Sequence, residues 1–260
     1  MKQIIIFGTG GNCIDILDSI FEINKLNKQF EILGFLDDNK EKDKLLINGF
    51  PVLGNLDKAK EYVNYDSIFF INGIGSSRTF YNRENIIERL NFDNSKYISI
   101  IHPKSFISMF ASIGFGVNVF ANVTIGSNVV IGNHVNILPN SIISHDSKIG
   151  DFSIITGGVC ISGNVNIGKS CYIGTNSSIK EGVSVSDYCL IGMHSLVNKI
   201  QKKDQYTLDN RPGLKNNWIL KIEFRQCRKN DGKKNFYRNK RNSRLWKQIK
   251  IWLQAIGYLL

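Results

Sequence analysis

From Ile101 onward the hydrophobic pattern has a period of six. Ile107, Ile113, Val119, Ile125, Ile131, Ile137, Ile143, Ile149, Ile155, Ile161, Ile167, Ile173, Ile179, Val185, Ile191 and Val197 follow without a slip. The residue two places earlier is always small, being Ser, Ala, Val or Cys from Ser105 to Ser195. This period is neither the 3.6 of a helix nor the 2 of an ordinary strand, and it predicts a hexapeptide β-helix. Each hexad supplies a short strand and a corner, the β-branched residue fills the interior, and the small residue packs beside it where walls converge. Three hexads close one coil, so residues 18 apart stack. Cys171 and Cys189 are one coil apart at the same inward position, which assigns them to core filling rather than to redox or metal chemistry.

Before the repeat the pattern is different. "QIIIFGTGGNCIDILDSIF" reads as a buried strand, a turn at Gly8, Gly10 and Gly11, and a helix with apolar Ile14, Ile16, Leu17 and Ile20. A second strand, "FEILGFLDD", ends in Asp37 and Asp38, and a third, "DSIFFINGIGSSR", ends in Gly73, Gly75, Ser76, Ser77 and Arg78. These ends gather glycines, acids and a base at the carboxyl edge of one small parallel sheet, where open α/β sheets bind ligands. The turn lacks the third glycine of a dinucleotide fingerprint, and about 95 residues make only half of a full dinucleotide fold. A mononucleotide or nucleotide-sugar fits better than NAD.

The fold class expected is therefore an α/β Rossmann-like half domain at 1–98 followed by a β-helix at 99–213, with a basic extension at 214–260. That extension holds 13 of the 33 Lys and Arg but only Glu223 and Asp231 among the acids, and so carries the whole formal charge of +11. The pI near 9.4 thus says little about the folded core. One basic cluster without a binding motif argues against nucleic acid. The Trp-bearing end of the extension, with Trp246, Ile249, Trp252 and Leu253 among Lys247 and Lys250, has the composition of a segment that lies on an anionic membrane surface, or of a terminal helix packed on an oligomer. The N-terminal apolar run is too short for a signal peptide and no run reaches about 18 apolar residues, which predicts a cytoplasmic protein. Five cysteines without a CxxC pair are read as reduced thiols.

One stretch of the repeat carries chemistry. In "SIISHDSKIG" the register places Ile143 and Ile149 inward and His145 and Asp146 on the outward corner between them. Gly163 stacks one coil above His145, leaving open space and an accessible N–H suited to a carbonyl oxygen on which negative charge develops. His145 reads either as a base or as a solvated corner residue. His102, His134 and His194 read as surface or interface polar residues. His134, His145 and His194 fall at different places around the coil, which disfavours the three converging imidazoles of a zinc site, so no metal is expected.

A glycine-turn α/β domain joined to hexads carrying "SHDSKIGDF" and "GNVNIGKSCYIGTNSSI" resembles the bacterial sugar acetyltransferases of the PglD/NeuD type, over residues 1 to about 213. The resemblance implies a left-handed β-helix, a homotrimer with sites between subunits, and acetyl-CoA as co-substrate. It implies acetylation of the amino group of a nucleotide-linked sugar in surface-glycan biosynthesis, with O-acetylation of a sialic-acid-type sugar as the nearest alternative. A non-catalytic sugar-nucleotide-binding scaffold is the alternative of another class. The resemblance makes His145 the general base, Asp146 its support and Gly163 the residue facing the acyl group. It puts Gly8, Gly10, Gly11, Asp37, Asp38 and Gly75 in the nucleotide-sugar pocket. The chain departs from the family at Ile154, where many members have a second histidine, at Leu138, where asparagine is common, and at "NRPGLK", which retains Pro212 of the usual closing turn.

Overall fold

A computed structural model describes residues 1–39, 45–200 and the strand Tyr206–Thr207. The extension 214–260 and its membrane reading lie outside the described residues. Among the described residues no helix is long and apolar enough to cross a membrane.

The N-terminal layer runs β1 (Lys2–Phe7), α1 (Gly11–Leu26), β2 (Phe30–Leu36), β3 (Leu46–Ile47), β4 (Phe50–Gly54), α2 (Ala59–Tyr62), β5 (Ile68–Asn72) and α3 (Arg83–Leu90). The sheet order is β3-β4-β2-β1-β5, parallel except for the short hairpin of β3 with β4. Ile4, Ile5, Ile6 and Phe7 of β1, an interior strand between β2 and β5, are completely buried, as a strand covered on both faces requires. The hairpin extends this sheet beyond the three strands read from the sequence. Its two-residue strand is too short to leave a periodic signal.

The repeat forms three flat walls of two-residue parallel strands. Wall 1 starts at Ile100–Ile101, wall 2 at Phe106–Ile107 and wall 3 at Ser112–Ile113, and each strand pairs with the one 18 residues on, as Thr124 does with Ile142. The second residue of each strand points inward, so Ile125, Ile143, Ile161 and Val197 are all fully buried. From Gly116 on, each corner has one residue with positive φ, and Asn122, Asn128, Asn140, Asn164 and Asn176 fill many of these places because asparagine tolerates the left-handed region. Serine can replace valine at the small inward position because its hydroxyl finds backbone partners on the next coil. Ser147 Oγ donates to the Ser162 carbonyl at 3.0 Å and accepts from the Val165 N–H at 3.1 Å. Buried hydroxyls so satisfied cost little.

The N-terminal layer packs on wall 1 through an unusual seam. Arg83, in the first turn of α3, is fully buried. Its guanidinium donates to the Phe152 carbonyl at 3.0 Å and to Asn136 Oδ1 at 3.2 Å. Asn136 Oδ1 also accepts from Asn118 Nδ2 at 2.9 Å, and the same amide donates to the Asn72 carbonyl at 3.0 Å. Burial pulls the Arg83 pKa down to about 9, still above neutrality, so a cation held by neutral acceptors sits between the two layers. At the rim Glu84 joins Lys169 at 2.8 Å and Tyr188 at 2.5 Å, and Phe80 meets the Tyr172 ring.

His134 belongs to this seam rather than to the outer surface. It is 1% exposed, stacked on Phe152 at 5.0 Å and met edge-on by Tyr97 at 4.6 Å. His102 is buried too, its Nδ1 accepting from the Lys104 N–H, and of the three histidines only His194 is exposed. Burial, with Arg83 nearby, holds the His134 pKa down at about 3. Between pH 6.5 and 3 the unfolded chain therefore binds a proton that the folded chain refuses, and stability falls as pH drops through this window. The loss between pH 6.5 and pH 5, above most carboxylate titrations, is expected to be about 2 kcal/mol. Denaturant melts of wild type and His134→Asn, which keeps a residue tolerant of positive φ, check this. Equal pH dependence in the two proteins would remove the assignment.

Candidate active site

The edge between walls 2 and 3 carries Ser127, His145 and Gly163 at successive coils. The backbone fixes His145 from both sides. Asp146 N–H donates to the Ser127 carbonyl, and Asn164 N–H donates to the His145 carbonyl, each at 2.9 Å. Asp146 has φ of 59°, and this left-handed turn brings its carboxylate back to the preceding ring, with Oδ2 2.8 Å from His145 Nδ1. Asp146 Oδ1 accepts from Asn128 Nδ2 at 3.0 Å. The hydrogen bonds from His145 and then Asn128 hold the Asp146 carboxyl below the usual carboxylate range, so it is ionised at neutral pH. An ionised carboxylate only accepts, which puts the imidazole proton on Nδ1 and leaves the Nε2 lone pair free.

That free nitrogen lies over Gly163. A Cβ built on Gly163 would stand 2.6 Å from His145 Cε1 and 2.7 Å from Nε2, so only glycine leaves the ring where it is. The Gly163 N–H has no hydrogen-bond partner among the described residues. The side chains of His145 and Asp146 are 62% and 50% exposed, but Gly163 beneath the ring is buried, so the open space expected beside the histidine is occupied by its own imidazole. Gly163→Ala is expected to lower turnover by about 10- to 100-fold. Its melting temperature is expected to move by less than about 3 °C, because the clash falls on an exposed ring that can swing away. Steady-state kinetics beside thermal melts measure both, and unchanged turnover would contradict the contact.

The N-terminal candidates divide into two groups. α1 begins at Gly11 behind the N-cap Gly10, without a side-chain cap and with no acid in its first turn, and nothing lies within 4 Å of a Cβ built on Gly10 or Gly11. The helix end is thus open to an approaching anion. Asp37 lies against the same turn, with Thr9 Oγ1 donating to its Oδ2 at 2.5 Å. The other candidates have packing explanations. Gly8, at φ of 93°, closes on Ile74 and Cys13. Asp38 accepts from the Leu56 N–H and from Arg89, each at 3.0 Å. Gly75, at φ of 153°, meets Ile154 Cδ1 2.5 Å from a built Cβ, and its carbonyl accepts from Asn12.

Two of the three family departures lie on the same side of the molecule, and the third, "NRPGLK", lies outside the described residues. Ile154 is a wall 1 residue, 1% exposed and pressed on Gly75, and Leu138 packs against the core of the N-terminal layer. Neither is on the edge that carries His145. Sequence reading missed Arg83, because "RENIIERL" looks like a helix with its charges outward, and missed Asn128, which the 18-residue count places directly under Asp146. Among the described residues no three His, Cys, Asp or Glu side chains converge as metal ligands.

The α/β layer and the coils define a two-part chain in which a nucleotide-type sheet is mounted on a left-handed β-helix. Residues 3–90 match the family model of the PglD N-terminal domain. No curated protein matches the sequence significantly. Among solved structures the chain is similar to the acetyltransferase domain of PglB from Neisseria gonorrhoeae, at 23% identity and a TM-score of 0.68, covering 79% of this chain and 96% of that one. It is similar to a histidine-substituted GDP-perosamine N-acetyltransferase from Caulobacter crescentus in complex with CoA and GDP-perosamine, at 19% identity and a TM-score of 0.70, covering 79% and 93%. WeeI from Acinetobacter baumannii matches at 16% identity and a TM-score of 0.52, covering 81% and 98%. At these identities the likeness establishes the fold.

Proposed function

We propose that the protein transfers the acetyl group of acetyl-CoA to the amino group of a nucleotide-linked sugar, in bacterial surface-glycan biosynthesis. The observation that carries this reading is the outward His145, oriented by Asp146 and laid over the side-chain-free face of Gly163. A sugar ammonium is not nucleophilic until it loses a proton, and an imidazole with a free Nε2 accepts one near neutral pH. The neutral amine then attacks the thioester carbonyl, the N–C bond forms, the now cationic nitrogen gives its second proton to solvent, and the oxyanion is stabilised by the Gly163 N–H. Collapse breaks the C–S bond, and the proton held by His145 passes to the departing thiolate. The open end of α1 with Asp37 suits the nucleotide. The PglD-type N-terminal match and the named activities of the PglB domain and the perosamine enzyme support the same donor and acceptor classes.

The arrangement also supports a homotrimer. The N-terminal layer covers wall 1 and reaches the residues beside both of its edges, Phe120 and Leu138 on one side and His134 and Tyr188 on the other. His145 is on the remaining edge, across the triangular section. A nucleotide-sugar held by one copy therefore reaches the His145 of a neighbour more readily than its own. Phe106, Met109, Phe110 and Ile142, on wall 2 and the same edge, are exposed apolar side chains that a second copy would cover. The basic, Trp-bearing composition of 214–260 supports peripheral membrane contact, from sequence alone.

A thiol-release assay with acetyl-CoA and a panel of UDP- and GDP-amino sugars tests the activity, and sedimentation equilibrium gives the copy number. Release dependent on an amino sugar and lost in His145→Ala supports the reading. Nucleotide-sugar binding with no release across the panel would leave a scaffold instead.

A further inference from the structure

Asn128 lies one coil below Asp146, and both occupy the left-handed corner position, each with φ of 59°. Equal backbone conformation sends the two side chains out of the edge in parallel, which is why the amide of one meets the carboxylate of the other at 3.0 Å. An Asp carboxylate on an exposed corner has a broad terminal torsion and, left alone, rotates in solvent. Here each oxygen has a different partner, Oδ1 the Asn128 amide and Oδ2 the His145 ring nitrogen. We propose that Asn128 is a positioning residue for the candidate base. Its amide fixes one oxygen of Asp146, and the other stays on His145 Nδ1, with Nε2 over Gly163. The proposal rests on the reading of His145 as a base given above.

The same coil spacing occurs on the edge between walls 1 and 2, where Asn122 Nδ2 donates to Asn140 Oδ1 at 3.2 Å with no titratable group in the pair. Asn122 also has a positive φ, of 58°. Asn122→Ala therefore imposes the same backbone penalty and loses the same kind of inter-coil bond, but leaves His145 untouched. It separates a staple between coils from a role in orienting the base.

The test uses the full chain with 15N-labelled histidine, in wild type, Asn128→Ala, Asn128→Asp and Asn122→Ala. Asn128→Asp keeps a residue tolerant of positive φ while turning the amide donor into a carboxylate that repels Asp146. The expected result is a smaller Nδ1–H tautomer population for His145 in both Asn128 variants. The kcat for acetyl transfer should fall about three- to tenfold with KM changed less than about twofold. Asn122→Ala should match Asn128→Ala in melting temperature and match wild type in tautomer and kcat. A tautomer ratio in both Asn128 variants equal to that of Asn122→Ala would overturn the proposal. If wild type transfers no acetyl group to any acceptor, the functional reading fails, and the tautomer signal still decides the role of Asn128.

Discussion

His145→Ala is expected to lower kcat for acetyl transfer by about 10²- to 10⁴-fold, the usual worth of a positioned general base. The side chain is 62% exposed and among the described residues its one polar contact is with an exposed neighbour, so the fold loses little with it. The melting temperature should shift by less than about 3 °C. Binding of the nucleotide-sugar to the N-terminal layer should persist, because none of the groups at the open end of α1 touches this edge. Asp146→Asn is expected to fall between wild type and His145→Ala. It keeps the volume and tolerates the positive φ, but an amide no longer dictates which ring nitrogen carries the proton. Thiol release for turnover and calorimetric titration of nucleotide-sugar for binding measure the two effects separately. Full activity in His145→Ala would end the assignment of the base.

The largest structural effect is expected at Arg83. Arg83→Ala removes a fully buried side chain, opens a void in the seam, and leaves the Phe152 carbonyl and Asn136 Oδ1 short of a donor. Relief from burying a cation offsets part of this, and the net loss is expected to be about 2–4 kcal/mol. Arg83→Met fills most of the volume without supplying donors, and should lose about half as much. The damage should be uneven. The coils keep their own ladder of hydrogen bonds and their own core, whereas the N-terminal layer loses its anchor. Thermal unfolding should therefore separate into two transitions, with the N-terminal layer melting first. A single transition at the wild-type temperature in both variants would show that the guanidinium contributes nothing to the seam.

These two residues were not equally visible before the structure. His145 announced itself because a strict period fixes which positions point out, and because its neighbours in space are its neighbours by count: Ser127 below, Gly163 above, Asp146 beside. Asn128 was missed, although the same arithmetic places it one coil below Asp146. Arg83 was not legible, since nothing in "RENIIERL" tells a buried guanidinium from one in water. Asp37 and Asp38 were indistinguishable as a pair at the end of a strand. Their different partners, Thr9 for one and Arg89 with Leu56 for the other, come from elements far away in sequence. Gly75 read as part of a ligand turn, and proved also to be the place where Ile154 enters the N-terminal layer.

What the sequence determined by itself is whatever repeats. A six-residue period of β-branched and small residues specifies walls, corners, inward and outward faces and the stacking of coils, because each hexad repeats the same local solution and pairs only with its equivalents 18 residues away. Tertiary structure alone decided how the N-terminal layer sits on wall 1, which charges it buries, and that His145 faces away from it. Those outcomes depend on side chains from two aperiodic surfaces fitting together, and no period along one chain encodes the meeting of two surfaces.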